Sequence, residues 1–147
     1  ASGTVTSKYR DYAFESTTNI SSGDIITIGT GPSGVNGDIV RGRVYCMDAS
    51  QQWEPVDANA SATSTGMLGI AIEDDTPTFL LKGVMHHTNF GTGGATGNPL
   101  YISETAGTVT GTAPTTAGAY VRIIGYQINL GNRGIFFDPD KTWVELT

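Results

Sequence analysis

The run "DIITIGTGPSG" at residues 24–34 sets a short apolar stretch ahead of glycines 29, 31 and 34, which have the G-x-G-x-x-G spacing of a dinucleotide-binding loop. Asp48 lies near the offset, roughly 20 residues, at which such a loop carries its ribose-binding acid. The residues after Gly34 decide between two folds. A dinucleotide loop opens a helix directly after its last glycine, because the helix N-terminal amides hold the pyrophosphate. Here Gly34 runs into "VNGDIVRGRVY" at 35–45, where Asn36-Gly37 signals a turn and the next run reads as a strand. Pro32 and the three glycines are therefore turn chemistry, and the position of Asp48 is coincidence. No cofactor is expected.

Beyond Gly34 the chain reads as strand after strand. Eight further runs succeed "DIITI": 38–47, 67–73, 78–87, 99–103, 107–111, 119–128, 134–137 and 142–146, separated by clusters of Gly, Pro, Asn, Asp, Ser and Thr. In "AYVRIIGYQI" strict alternation puts Tyr120, Arg122, Ile124 and Tyr126 opposite Val121, Ile123, Gly125 and Gln127. "LGIAI" at 68–72 is apolar on both faces, as a strand covered on both sides would be. Gly42, Gly83 and Gly125 interrupt strand runs and predict bulges or sharp bends. The one helix-like stretch, "DANASATSTG" at 57–66, has no apolar stripe and is rich in side chains that compete for backbone hydrogen bonds, so it reads as a loop. The expected fold is all-β: a compact sandwich or small barrel of short, mostly antiparallel strands over residues 24–147, with an N-terminal arm at 1–23.

Composition narrows the function classes. The 147 residues can bury a core, and 38% hydrophobic with 15% charged residues fits neither a disordered chain nor a membrane protein. No apolar run approaches the roughly 20 residues that span a bilayer, and no signal peptide is visible, so the chain reads as a small complete protein. A net charge of −6 argues against nucleic acid as a partner. Cys46 is the only cysteine, which excludes an intrachain disulfide and a cysteine-based metal site.

Chemistry-bearing residues are few. His86 and His87 are adjacent at a strand end, so they point to opposite faces and are poorly placed to share a metal ion. Glu73-Asp74-Asp75 reads as an acidic turn, and Asp138-Pro139-Asp140 as a hairpin turn whose Asp side chains bond their own backbone. Neither has the spacing of an EF-hand loop, and no nucleophile elbow or Ser/His/Asp spacing stands out. Neither catalytic nor metal residues are expected. Residues 1–23 read either as a frayed terminus or as an arm that docks on a neighbouring subunit; in the second case the partner-binding residues are Tyr9, Arg10, Tyr12 and Phe14, because three aromatics within six residues exceed what a solvated tail usually carries.

The last third is distinctive: Gly-x-Pro-Leu-Tyr-Ile-Ser at 97–103, Thr-Ala-Gly at 105–107, Thr-Ala-Pro at 112–114, the run 120–126, and a closing Asp-Pro-Asp-x-Thr-Trp-Val-Glu-Leu. It resembles a β-module of tailed-bacteriophage virion proteins. With "GRVYCMD", "PVDA", "GMLGIAIED" and "LLKGVM" ahead of it, residues 38–147 resemble small capsid decoration (cement) proteins. The resemblance implies a non-enzymatic homotrimer on the virion surface, made in the host cytoplasm, with the major capsid protein as partner. It carries over no catalytic residue. The same C-terminal motif occurs in tail-fibre modules, which implies host-glycan recognition as the alternative.

Overall fold

The computed structural model describes residues 7–9, 12–14, 34–35, 37–91, 95–131 and 133–147. In chain order, the early strands are β1 (Ser7–Tyr9), β2 (Tyr12–Phe14), β3 (Gly34–Val35), β4 (Val44–Met47) and β5 (Gln52–Pro55). One helical turn, α1 (Ser61–Ser64), precedes β6 (Leu68–Ala71), β7 (Phe79–Leu80) and β8 (Gly83–His86). After a 3-10 turn at Thr88–Phe90 come β9 (Pro99–Ile102), β10 (Val109–Thr110) and β11 (Tyr120–Val121). The last are β12 (Ile123–Ile128), β13 (Gly134–Phe137) and β14 (Val144–Glu145).

Among the described residues the strands form two five-stranded sheets, in the orders β3-β5-β4-β6-β7 and β10-β9-β12-β13-β8. Two-stranded pairs β1-β2 and β11-β14 complete the set. Each of these pairings is antiparallel except β3 with β5. Val44, Cys46, Leu68 and Ile70 of the first sheet share one buried cluster with Met85, Leu100, Ile102, Ile124, Ile135 and Phe137 of the second. The chain is thus an all-β sandwich around a continuous apolar core, as expected. Alternate residues supply that core because side chains one apart face opposite sides of a strand.

The first sheet is buried on its outer side as well. All four residues of β6 are buried, as its doubly apolar sequence implied. Tyr45, Trp53, Ala71 and Phe79 form a second cluster with Ile39, against which Met47 and Leu81 pack. Trp53 stacks on Phe79 at 4.2 Å, and Tyr45 meets the same ring edge-on. The Tyr45 hydroxyl accepts from the Val40 amide and donates to the Asp38 carbonyl, so the 38–43 loop is tied over this face. That loop turns at Gly42, whose φ of 77° favours glycine and whose missing Cβ leaves room for the His87 ring.

The three interrupting glycines each change the ladder. Gly42 ends the loop, so the strand predicted over 38–47 begins only at Val44. At Gly83 (φ 142°) the run 78–87 divides into β7 and β8, which belong to different sheets. At Gly125 the β9–β12 register shifts, a bulge that overturns the expected alternation: Ile124 faces the core whereas Tyr126 faces outward. Other departures are smaller. The stretch read as a loop at 57–66 contains the single turn of α1, held by hydroxyls that bond carbonyls locally: Ser64 Oγ donates to Asp57 O at 2.6 Å, and Thr65 Oγ1 to Ser61 O. Strand β5 was not foreseen, since "QWEP" is short and contains a proline. Gly34 opens a strand rather than a helix, and the predicted strand at 24–28 lies outside the described residues.

Candidate functional site

The sequence placed the partner-binding residues in the N-terminal arm. There β1 and β2 form an antiparallel ladder with Ser7 opposite Phe14, Lys8 opposite Ala13 and Tyr9 opposite Tyr12. Arg10 lies outside the described residues.

A second apolar surface was hidden from the sequence by the Gly125 bulge. Pro99 of β9 pairs with Tyr126, Tyr126 with Phe136, and Phe136 with Val84. The four residues therefore form one row straight across the outer face of the second sheet. Tyr126 is 43% exposed, Val84 is also exposed, and Pro99 and Phe136 are half-buried. On the first sheet the equivalent face holds Trp53 at 1% exposure.

A third feature is built around Arg122, a buried cation only 6% exposed. Its Nε donates to Asp140 O at 2.8 Å, and its Nη1 to Ser64 O and Gly66 O at 2.8 and 2.7 Å. These three carbonyls join the C-terminal strap to the loop before β6. Among the described residues no carboxylate forms an ion pair with the guanidinium, and burial lowers its pKa. The Trp143 ring lies over it, 5.5 Å from Cζ to the ring centroid, which is cation–π geometry.

The remaining candidates resolve into structural roles. His86 is exposed at the end of β8, whereas His87 precedes the 3-10 turn and its Nδ1 accepts from the Asn89 amide. The Glu73–Asp75 turn takes the form expected of it: Asp74 Oδ1 accepts from the Arg41 amide, and Asp75 has a φ of 54°. Asp138 departs from expectation. It reaches across to Lys82 Nζ at 3.0 Å, an exposed pair, and the Asp138 and Asp140 amides donate to Ile124 O and Ile123 O. The stretch is therefore not the expected hairpin turn: it runs on beside β12, and β13 and β14 belong to different sheets. Cys46 is buried in β4, where burial pushes its thiol pKa up, which opposes thiolate chemistry. Glu104 Oε1 accepts from the Thr115 and Thr116 amides. The Thr116 bonds hold that carboxyl below its usual range. Beside Glu104 is an open cleft of about 240 Å³ lined by Ser103, Thr105, Thr110, Thr112 and Thr115.

Among the described residues no group of three or more His, Cys, Asp or Glu could hold a metal ion, and no helix is long and apolar enough to cross a membrane. No protein-family model, curated protein or solved structure matches the chain.

Proposed function

We propose that this is a structural virion protein: a head decoration protein that binds the outer capsid surface as a homotrimer and stabilises capsomer junctions. The observation that carries the reading is the Pro99–Tyr126–Phe136–Val84 row, an apolar face left open on a sandwich whose core is otherwise closed. Isolated apolar side chains are normal on a surface, but a contiguous row across a rigid sheet suits a large, slowly dissociating contact. In this reading the open row faces the major capsid protein, and the β1–β2 ladder grips a neighbouring chain. Many copies on one shell would multiply modest contacts. The reading includes no catalysis and no metal.

The test uses virions lacking the protein. They should assemble but rupture under milder heating or osmotic shock, and added protein should restore resistance. Tyr126→Ser protein should restore it poorly. Removing residues 1–15 should weaken attachment while leaving the domain's thermal transition nearly unchanged.

The hydroxyl-lined cleft beside Glu104 favours a second reading, a tail-fibre module that recognises host glycans, since hydroxyls and a carboxylate suit sugar hydroxyl groups. Virions that are equally robust without the protein but fail to adsorb to cells would put that reading first.

A further inference from the structure

Arg122 is satisfied on one side only. Nε and Nη1 donate to three carbonyls, whereas Nη2 has no acceptor among the described residues. Burial disfavours the charged guanidinium, and the nearby charge of Asp140, which is not within ion-pair distance, offsets that only in part. Around it the surface is apolar. Trp143, lying over the guanidinium, is 42% exposed, and Val144 beside it is 62% exposed. Met67, which follows the acceptor Gly66, is also exposed. Among the described strands β14 pairs with β11 alone, so the strap that carries Trp143 and Val144 has an open side. A desolvated cation ringed by exposed Trp, Met and Val has the anatomy of an interface hot spot.

We infer that this patch binds a carboxylate of a second copy of the chain, supplied by its Glu73-Asp74-Asp75 turn. The turn is exposed, and no Lys or Arg among the described residues forms an ion pair with it. The two features lie at opposite ends of one strand: Met67 immediately precedes β6, and Glu73 stands two residues beyond it. At about 3.3 Å per residue they are roughly 20 Å apart, too far to meet within one copy along that strand but well placed to link copies head to tail. Such a heterologous contact closes into a ring when the rotation between copies permits. The cation is already stripped of most of its water, so an incoming carboxylate meets little further desolvation cost on that side. The inference rests on self-assembly and not on attachment to a capsid, and its test uses the isolated protein, so the two can fail separately.

The test is sedimentation equilibrium of the full chain and two surface variants. Trp143→Ser removes the apolar rim. The triple substitution E73Q/D74N/D75N removes the charges but keeps the size of the turn, since Asn tolerates the positive φ at 75. Arg122 is left in place because it holds the strap. Each variant, with its thermal transition retained, should weaken self-association by roughly thirtyfold or more, the scale of a hot-spot loss. Mixing the two variants should restore one intact contact per pair, giving dimers from chains that are monomeric alone. A wild-type chain that stays monomeric at low salt, variants that assemble like wild type, or a mixture that remains monomeric would each overturn the inference.

Discussion

The outer faces of the two sheets carry similar residues and meet opposite fates. On the first sheet Tyr45, Trp53 and Phe79 lie under Ile39, Met47 and Leu81. On the second, Tyr126, Phe136 and Val84 form a row that no described segment covers in the same way. The difference comes from the connections. The loop before β4 folds back over the first sheet and is held there by the Tyr45 hydroxyl, by the Asp75 amide on Ile39 O, and by Asn89 Nδ2 on Gly42 O. Between β12 and β13, by contrast, only five residues intervene, and the Arg133 amide donates back to Leu130 O. Apolar content alone therefore does not tell a core face from a binding face; the reach of the loops does.

Substitutions at three positions and one pH series probe that contrast between a sealed and an open face. The largest effect is expected on the covered face. Trp53→Ala should destabilise the domain by about 3–5 kcal/mol in urea unfolding, as for large aromatic truncations in cores. Trp53→Phe should lose much less, because it keeps a ring to pack on Phe79 while deleting Nε1–H, a buried donor with no partner among the described residues. A small loss for Trp53→Ala would mean that the face is not sealed.

Next is Gly125, where the bulge turns Tyr126 outward. A Cβ there would collide with the Phe136 carbonyl oxygen, and backbone cannot swing aside as a side chain can. Gly125→Ala should cost about 1–3 kcal/mol and disturb the Tyr126–Phe136 row, seen as reduced amide protection in β12 and β13.

A smaller effect concerns the clamp on the 38–43 loop. Burial first, and then the charge of Arg41, lowers the His87 pKa below 6.5. The folded state thus favours neutral His87, whose Nδ1 must stay unprotonated to accept from the Asn89 amide. The contribution is complete above the ordinary histidine value and is lost as pH falls below it. Between about pH 7.5 and 5.5 wild type should lose more stability than His87→Asn, which keeps an acceptor but does not titrate. Parallel pH curves for the two proteins would refute this.

The smallest stability change is expected on the open face. Tyr126→Ser should fall within about 0.5 kcal/mol of wild type in urea while impairing attachment. A loss several times larger would make Tyr126 part of the fold instead.

Much of the architecture was legible in the sequence because it rests on local chemistry. Strand runs bounded by turn residues predicted most of the ladders, and the doubly apolar "LGIAI" predicted a strand buried throughout. The three interrupting glycines were flagged, but a sequence does not say what a bend at glycine will do. At Gly83 it moved the chain to another sheet, and at Gly125 it inverted the alternation, so Tyr126 was assigned to the face of Ile124. The surfaces were harder still. Tyr126, Phe136 and Val84 come from three strands, and Arg122 meets Gly66 and Asp140 only after folding. No spacing along the chain announces such contacts. The aromatic cluster at residues 9–14 was visible because all its members are neighbours in sequence.

The pairing of β8 with β13 has a consequence for synthesis. Gly83 is partnered by Phe137, and His86 by Gly134. The described pairings of the first sheet, by contrast, all lie between Gly34 and Leu80. At roughly 5–20 residues per second the ribosome needs on the order of several seconds to reach β13 after finishing β8. Throughout that interval the nascent chain can already build its first sheet, but Met85, destined for the core, has no ladder to hold it. Crowded polysomes would bring such half-made chains together, so the yield of this protein should be most sensitive to translation speed between codons 87 and 134.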